Sequence, residues 1–382
     1  MKKWLFLVIL ILSVIFILYL SFSTNYDFIF TDGKIVIQSN CKDLHINPKN
    51  KIVILSETTH GSENIRFLNT CIVKYLFKNK NFSTVILEWD YSDISYVNSY
   101  IKGNSQISTS LIASIFKNTL FDSRDFFELI EWAKNQNKIG AKIEFFGMDN
   151  WGTNKNLRKS DIVKHNRLPI SKINELNILK SCIKKNKIGS KIYKNCNYII
   201  LKYIKNKQPN ISKKDYYFWL VERWLLSLNY IKSFPGKFNY YRDLNMFKTF
   251  EDILNYKNKT QKDGGIIVLT HMGHGLNYPG KFGSYLHKSR HNFSSYIVSL
   301  CKGKITSYKE GTRKYYDLEI SDLEKDLIEN SICSGNLFNK NINNKILHYP
   351  SAFTPNFIND IPDFNFEGFF VVPNSRPLEF SK

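Results

Sequence analysis

Short apolar segments that end in polar or charged residues recur along this chain. Four of them are rich in β-branched or aromatic residues and too short for typical helices, so they predict buried strands. Apolar residues at helical spacing, such as Ile65, Leu68 and Ile72, follow the first segment. The alternation of strands with helices predicts an α/β fold with a mainly parallel, doubly wound sheet. The four predicted strands are Ile52–Leu55, Thr84–Asp90, Lys142–Asn150 and Gly265–His271.

Further elements are predicted around this pattern. The additional helices are Ser92–Lys102, Ser108–Phe116 and Ser123–Asn135. The additional strands are Lys34–Gln38, Ser295–Cys301 and Phe366–Val372. The polar stretch at about 305–360 predicts no definite element.

Between about residues 152 and 262 the strand pattern is absent, and lysine, asparagine, tyrosine and leucine dominate. The segments Asp215–Asn229 and Tyr240–Tyr256 have helical patterns. Because the strand–helix alternation resumes at Gly264, we interpret 152–262 as a helical insertion and not as a separate domain. We expect this insertion to cover the strand ends and to form a wall of the substrate site.

The N-terminal segment, residues 1–24, predicts a membrane anchor. Lys2 and Lys3 precede an apolar run from Trp4 to Leu20, which is at the lower limit of ~17 residues for crossing a bilayer. The positive charges on its N-terminal side predict that the body, 25–382, lies outside the cytoplasm. A cleaved signal peptide is the alternative, and the protein would then be secreted.

The net charge of +21 comes mostly from lysines spread along the whole chain. A nucleic-acid site needs a focused basic patch or a fold signature, and the sequence has neither, so no nucleic-acid partner is predicted. Contact of this cationic surface with anionic lipid remains open. The six cysteines include no CxxC pair. Cys182 and Cys196 are a candidate disulfide, whereas Cys71, on the apolar side of a helix, is expected to be a buried free thiol.

The residues that carry chemistry follow the predicted strands. In a parallel sheet the carboxyl ends of the strands share one edge, so residues placed there converge on one crevice. A single histidine at such a position is more often structural, but several histidines and glutamates at equivalent strand ends predict a functional site. The apolar ring of Trp89 beside Glu88 predicts a raised pKa for that carboxyl group. The converging residues are Glu57, His60, Glu88, Asp149, His271 and His274.

Several short blocks also resemble the successive motifs of the erythromycin esterase family. They are Ser56-Glu57-Thr58-Thr59-His60-Gly61, Val85–Trp89, Phe146-Gly147-Met148-Asp149, Tyr241-Arg242-Asp243 with Met246, and Thr270–His274. The resemblance implies an α/β fold with a helical insertion and hydrolysis of an ester, in the best-known members a macrolide lactone, without an obligatory metal. It implies functional roles for Glu57, His60, Glu88, His271 and His274, and for an arginine on the first helix, here Arg66. Ser56 and Met272 depart from the family, which commonly has glycine and asparagine there.

The predicted mechanism uses an activated water, because no Gly-x-Ser-x-Gly motif for a serine nucleophile is present. Neutral His60 would accept a proton from the water, and Glu57 or Glu88 would hold its ring. Negative charge on the ester carbonyl would be met by protonated His271 or His274, or by Arg66. The predicted partner is a small-molecule ester, no cofactor is required, and the substrate's identity and the oligomeric state remain open.

Two other interpretations are compatible with the same residues. The glutamates and histidines are a possible ligand set for a divalent metal, as in a metal-dependent hydrolase or peptidase. The wider superfamily also contains haem- or iron-binding members, so a non-catalytic envelope protein that binds haem or metal is the third hypothesis. Metal analysis and activity with and without chelator separate the three.

Overall fold

The structure, a computed structural model, describes most of the predicted α/β body. Among these residues no helix is long and apolar enough to cross a membrane. The predicted anchor from Trp4 to Leu20, the helix Asp215–Asn229 and the Cys182–Cys196 pair lie outside the described residues and stay predictions. The described residues are 30–31, 34–35, 46–117, 119, 121–149, 238–260, 264–275, 277–309, 312–318, 368–375 and 377.

The strands and helices alternate through the first half of the body, as predicted. The strands are β1 (Phe30–Thr31), β2 (Lys34–Ile35), β3 (Ile52–Glu57), β4 (Phe82–Asp90), β5 (Glu144–Asp149), β6 (Gly265–His271), β7 (Ser294–Lys309), β8 (Thr312–Leu318) and β9 (Gly368–Ser375). The helices are α1 (Glu63–Asn79), α2 (Tyr91–Ile101), α3 (Thr109–Phe116), α4 (Arg124–Lys138), α5 (Phe238–Thr260), α6 (Met272–Gly275) and α7 (Phe282–Lys288).

Serine side chains begin three of the helices. The hydroxyls of Ser62, Ser108 and Ser123 accept hydrogen bonds from backbone N–H groups two or three positions inside α1, α3 and α4. The cap at Ser62 fixes where α1 begins, so the loop between β3 and α1 runs from Thr58 to Ser62. These caps explain why the predicted starts of the helices after Ser108 and Ser123 agree with the structure.

Seven of the described strands form one sheet in the order β5-β4-β6-β3-β7-β8, with β9 also paired to β7. The pairs within β5-β4-β6-β3-β7 are parallel, β9 is parallel to β7, and β8 is antiparallel to it. The prediction of a mainly parallel sheet is confirmed. In the register, Glu57 lies beside His271, and Leu87 lies beside both Leu269 and Gly147. The last residues of β3, β4, β5 and β6 therefore meet at one edge.

Helices cover the sheet on both faces. Alternate strand residues such as Val53, Val85 and Ile267 join one apolar core with residues of α1, α2, α3 and α4. Residues of the opposite alternation include Phe146, whose ring contacts Tyr256 of α5 edge-on at a centroid distance of 6.1 Å. This arrangement leaves the carboxyl edge of the strands as the place where polar side chains collect.

One prediction about the core is wrong. Cys71 is buried on α1 as expected, but it is disulfide-bonded and not a free thiol. The position of a cysteine on a helix face predicts its burial, whereas a disulfide depends on a second cysteine being close in space, which sequence spacing does not reveal.

Candidate functional site

The loop after β3 carries His60 and is fixed by backbone contacts to β7. The N–H of Thr58 donates to the carbonyl of Val298, and the N–H of Thr306 donates to the carbonyl of Gly61, both at 2.9 Å. A Cβ atom on Gly61 would lie 1.8 Å from the Thr306 carbonyl oxygen, so only glycine allows this approach. The position of His60 is therefore set by the sheet and not by the loop alone.

Glu57 and His60 form a carboxylate–imidazole pair at the end of β3. His60 Nδ1 is hydrogen-bonded to Glu57 Oε1. Two residues of α1 hold the same carboxylate, because Asn69 Nδ2 donates to Oε2 at 2.7 Å and the Arg66 guanidinium lies 3.1 Å from Oε1. An ionised carboxylate only accepts hydrogen bonds, so Nδ1 carries a ring proton, and in the neutral ring Nε2 then carries the lone pair.

Glu88, at the end of β4, is surrounded by donors. Its Oε2 accepts from the His271 N–H at 2.6 Å and from the Thr270 hydroxyl at 2.9 Å. Its Oε1 accepts from the Arg242 guanidinium at 2.9 Å, with His274 Nε2 at 3.3 Å and His60 Nε2 at 3.9 Å. Glu88 is thus the carboxylate that Arg242 and all three histidines of the crevice approach.

The predicted raised pKa of Glu88 is wrong. Burial does act to raise it, but the positive charges of His274 and His60, where these rings are protonated, and of Arg242 outweigh burial and hold the pKa well below its ordinary value. The neighbouring ring has little influence, because Trp89 is the next strand residue and packs on Phe121, with ring centroids 5.0 Å apart. Glu88 therefore stays ionised.

His271 is held in one neutral tautomer. Its Nε2 lies 3.1 Å from the carbonyl oxygen of Thr58, to which it donates, and its Nδ1 accepts from the Gly273 N–H at 3.1 Å. Burial, and then the charge of His60, lower the pKa of His271 to about 3. The ring lies 4.9 Å from the His60 ring. His271 consequently joins the β6 end to the His60 loop as an uncharged group.

His274, on α6, is held between two consecutive residues of α5. Its Nδ1 is 2.6 Å from Asp243 Oδ1, which also accepts from the Phe282 N–H at 3.0 Å. Arg242 Nη1 lies 2.8 Å from His274 Nε2, and since a guanidinium only donates, that ring nitrogen is the acceptor. In this arrangement the His274 ring proton lies on Nδ1, toward Asp243.

Arg242 is the cation at the centre of this side of the crevice. Its Nε lies 3.1 Å from both carboxylate oxygens of Asp149, and its Nη2 contacts Asp149 and Glu88. Burial lowers the pKa of Arg242, but Asp149 and Glu88 raise it further, to above its ordinary value, so the guanidinium is charged. In the sequence, Arg242 and Asp243 stood out only as part of a family motif on a predicted helix. Their position next to each other on that helix was the one signal that pointed to a role in the site.

The structure brings all the predicted strand-end residues together. Glu57, His60, Glu88, Asp149, His271 and His274 line one crevice, and Arg66 lies behind Glu57 with its guanidinium 4.4 Å from the Phe121 ring centre. The two departures from the family motifs, Ser56 and Met272, are buried. A Cβ on Gly275 would lie 2.1 Å from Ser56 Oγ, so this glycine provides the room for the serine.

The donor arrangement does not fit a bound metal ion. Among the residues that the structure describes, no group of three His, Cys, Asp or Glu side chains is arranged to hold one. The Arg242 guanidinium lies between Glu88, Asp149 and His274 and already supplies the positive charge there. One ring nitrogen of His60 and both ring nitrogens of His271 and His274 are engaged in hydrogen bonds.

Comparison with protein families confirms the resemblance found in the motifs. The family model described as erythromycin esterase matches residues 77–163, a range that includes Glu88 and Asp149. No curated protein is similar enough in sequence to count as a match.

Solved structures share the fold at low sequence identity. A Bacillus cereus protein is 18% identical with a TM-score of 0.64, over 87% of this chain and 90% of its own. A succinoglycan biosynthesis protein is 17% identical with a TM-score of 0.67, over 87% and 90% of the two chains. A histidine-to-asparagine mutant of the erythromycin esterase EreC, in its open conformation, is 14% identical with a TM-score of 0.63, over 86% and 92%.

Proposed function

We propose that this erythromycin esterase-like chain is a hydrolase that cleaves an ester or lactone bond of a small molecule with a water activated by His60, without a metal. One observation supports this proposal above the others. Of the three histidines at the crevice, His60 alone has one ring nitrogen held by a carboxylate and the other, within the described residues, outside any hydrogen bond. His60 is therefore the histidine that is free to accept a proton.

The proposed reaction begins when water attacks the ester carbonyl and its proton passes to His60 Nε2. Glu57 keeps Nδ1 protonated and directs Nε2 into the crevice. The resulting imidazolium faces Glu88 Oε1, 3.9 Å away in the resting site. The bond to the leaving oxygen then breaks, and that oxygen takes the proton from His60, so the products are a carboxylic acid and an alcohol.

The negative charge on the carbonyl oxygen is offset by Arg66, whose guanidinium is paired with Glu57. His271 cannot share this role as an imidazolium, because its neutral form satisfies both ring nitrogens. We assign it the positioning of the His60 loop through the Thr58 carbonyl.

The test measures hydrolysis of a panel of esters by the purified full chain, with p-nitrophenyl acetate, alkyl esters and a macrolide lactone. His60→Ala should lower kcat by ~10²–10⁴-fold with an unchanged circular dichroism spectrum, because a general base typically contributes that factor. His291→Ala is the matched control, since His291 is partly exposed and lies outside the crevice. Near wild-type turnover by His60→Ala would overturn the assignment.

The same preparation separates the alternative functions. Activity that is unchanged after treatment with a chelator supports the metal-independent reaction. Loss of activity that added divalent metal restores would support a metal-dependent hydrolase instead. Failure of the wild-type chain to cleave any ester, with haem or iron bound to it, would support the non-catalytic binding protein.

A further inference from the structure

Two carboxylates approach His60 from opposite sides of its ring. Glu57 is hydrogen-bonded to Nδ1, and Glu88 Oε1 lies 3.9 Å from Nε2. Negative charge close to an imidazole favours its protonated form. A protonated His60 has no lone pair and could not take a proton from water. The arrangement would therefore inactivate its own base unless the negative charge is offset.

Each of these carboxylates is paired with one arginine, of which Arg66 is buried and Arg242 is partly buried. Arg66 lies 3.1 Å from Glu57 on the α1 side, and Arg242 lies 2.9 Å from Glu88 on the α5 side. Arg242 also donates from Nε to both carboxylate oxygens of Asp149, each at 3.1 Å. The charges around His60 are thus arranged as two arginine-compensated carboxylates, contributed by different parts of the chain.

We propose that Arg242, anchored by Asp149, is a positioning residue that compensates Glu88 and thereby keeps His60 in the neutral form needed to accept a proton. This inference rests on the proposed function for its catalytic consequence, but the protonation of His60 can be measured without any substrate. It adds Arg242 and Asp149 to the residues on which the activity depends.

His60 and Glu88 have other charged or titratable neighbours, and these limit the size of the effect. His271 is held neutral, and His274 approaches the same Glu88 oxygen at 3.3 Å, so it compensates part of the charge when Arg242 is removed. Among the described residues, the groups that face the pair directly or through Arg242 are Glu57 of β3, Arg66 of α1, His271 of β6, His274 of α6, Arg242 of α5 and Asp149 of β5.

The experiment is an NMR titration of the His60 ring in chain labelled with 13C at histidine Cε1, with the signal assigned from the His60→Gln variant. Arg242→Gln should move the midpoint of the His60 titration to higher pH, because it leaves the Glu88 carboxylate beside Nε2 uncompensated. Arg242→Lys keeps the positive charge and should move it much less. Asp149→Asn removes the second carboxylate from Arg242 and leaves the guanidinium to Glu88, so it should not move the midpoint to higher pH.

The double variant Glu88→Gln with Arg242→Gln is the decisive control. Removing both charges should return the midpoint to the wild-type position. In an active chain, the rising limb of kcat/KM against pH should shift upward with the NMR midpoint in Arg242→Gln. If Arg242→Gln does not fold, Glu88→Gln alone should move the midpoint to lower pH, because it removes the carboxylate that lies 3.9 Å from Nε2. Unchanged His60 midpoints with activity lost equally at every pH would overturn the proposal, and they would leave the hydrolase assignment standing.

Discussion

His271 shows how a buried, neutral imidazole makes stability depend on pH. Its folded-state pKa of about 3 lies below the unfolded value of about 6.5, so the unfolded chain binds the extra proton between these limits. Its contribution is complete above about pH 6.5 and is lost as the pH falls toward 3. We predict that this group alone lowers the free energy of unfolding by up to ~1.4 kcal/mol per pH unit across that window.

The measurement is urea unfolding at pH 7, 6 and 5 for the wild type and for His271→Gln. Glutamine keeps a donor for the Thr58 carbonyl but does not titrate. The variant should therefore lose less stability on acidification than the wild type. The comparison also removes the opposite effect of Asp125, whose pKa burial raises to about 6 in both proteins. Parallel stability curves would contradict the prediction.

At the scale of residues, the sequence predicted the groups at the strand ends and missed those that α5 delivers. Glu57, Glu88, Asp149 and His271 each lie at or just after the end of a predicted strand, so parallel pairing places them together. Arg242 and Asp243 reach the same crevice from α5, and their contacts depend on where that helix crosses the sheet. The prediction for the pKa of Glu88 failed for the same reason, because the charges that lower this pKa come from residues distant in sequence.

At the scale of elements, α5 is attached to β5 by an ion pair at each end of the strand. Arg242 pairs with Asp149 at the carboxyl end, and Lys257 pairs with Glu144 at the amino end, with Lys257 Nζ 2.8 Å from Glu144 Oε2. Burial acts to raise the pKa of Glu144, but Lys102 and Lys257 lower it below its ordinary value. The helix is thus fixed along the strand by charges at both ends.

We predict that Lys257→Met destabilises the protein by about 1.5–3 kcal/mol, because it removes one charged hydrogen bond and leaves the Glu144 carboxylate with only the half-exposed Lys102. Adding Glu144→Gln should recover much of this loss. Lys259→Met, near the end of the same helix, is the control and should have little effect. The measurement is urea unfolding at neutral pH, and a loss below about 1 kcal/mol for Lys257→Met would contradict the role of the pair.

The elements that sequence patterns missed are those with weak local signals. The α7 helix has seven residues and begins after Lys281, which makes no side-chain cap, so neither its length nor its start is marked in the sequence. The β8 strand, Thr312–Leu318, has a polar sequence and pairs antiparallel with β7. The predicted strand Ser295–Cys301 extends to Lys309 because this pairing continues it through polar residues.

At the scale of the whole molecule, we propose that the body lies outside the cytoplasm behind an N-terminal anchor at Trp4–Leu20. The disulfide at Cys71 supports this placement, because disulfides persist mainly in oxidising compartments. We predict that protease added to intact cells or spheroplasts digests the body, whereas a cytoplasmic marker protein survives. Full protection of the body would contradict the topology, and release of the body into the medium would indicate cleavage of the segment.

The proposed insertion is also a property of the whole chain. Its last part is helical, since the predicted helix Tyr240–Tyr256 falls within α5, Phe238–Thr260. The part from 150 to 237, which we expect to form the substrate wall, lies outside the described residues. Composition and helical spacing predict its secondary structure, but its packing over the crevice depends on long-range contacts that local patterns do not encode.

The position of β6 has a consequence for synthesis on the ribosome. Both β3 and β4 pair with β6, although β6 is made much later than either of them. At 5–20 residues per second, the ribosome needs on the order of ten to thirty seconds to reach β6 after finishing β4. During that interval β3 and β4 lack β6, which lies between them in the sheet and pairs with both. The nascent chain is therefore exposed to mispairing, and we expect it to depend on chaperones until β6 has been made.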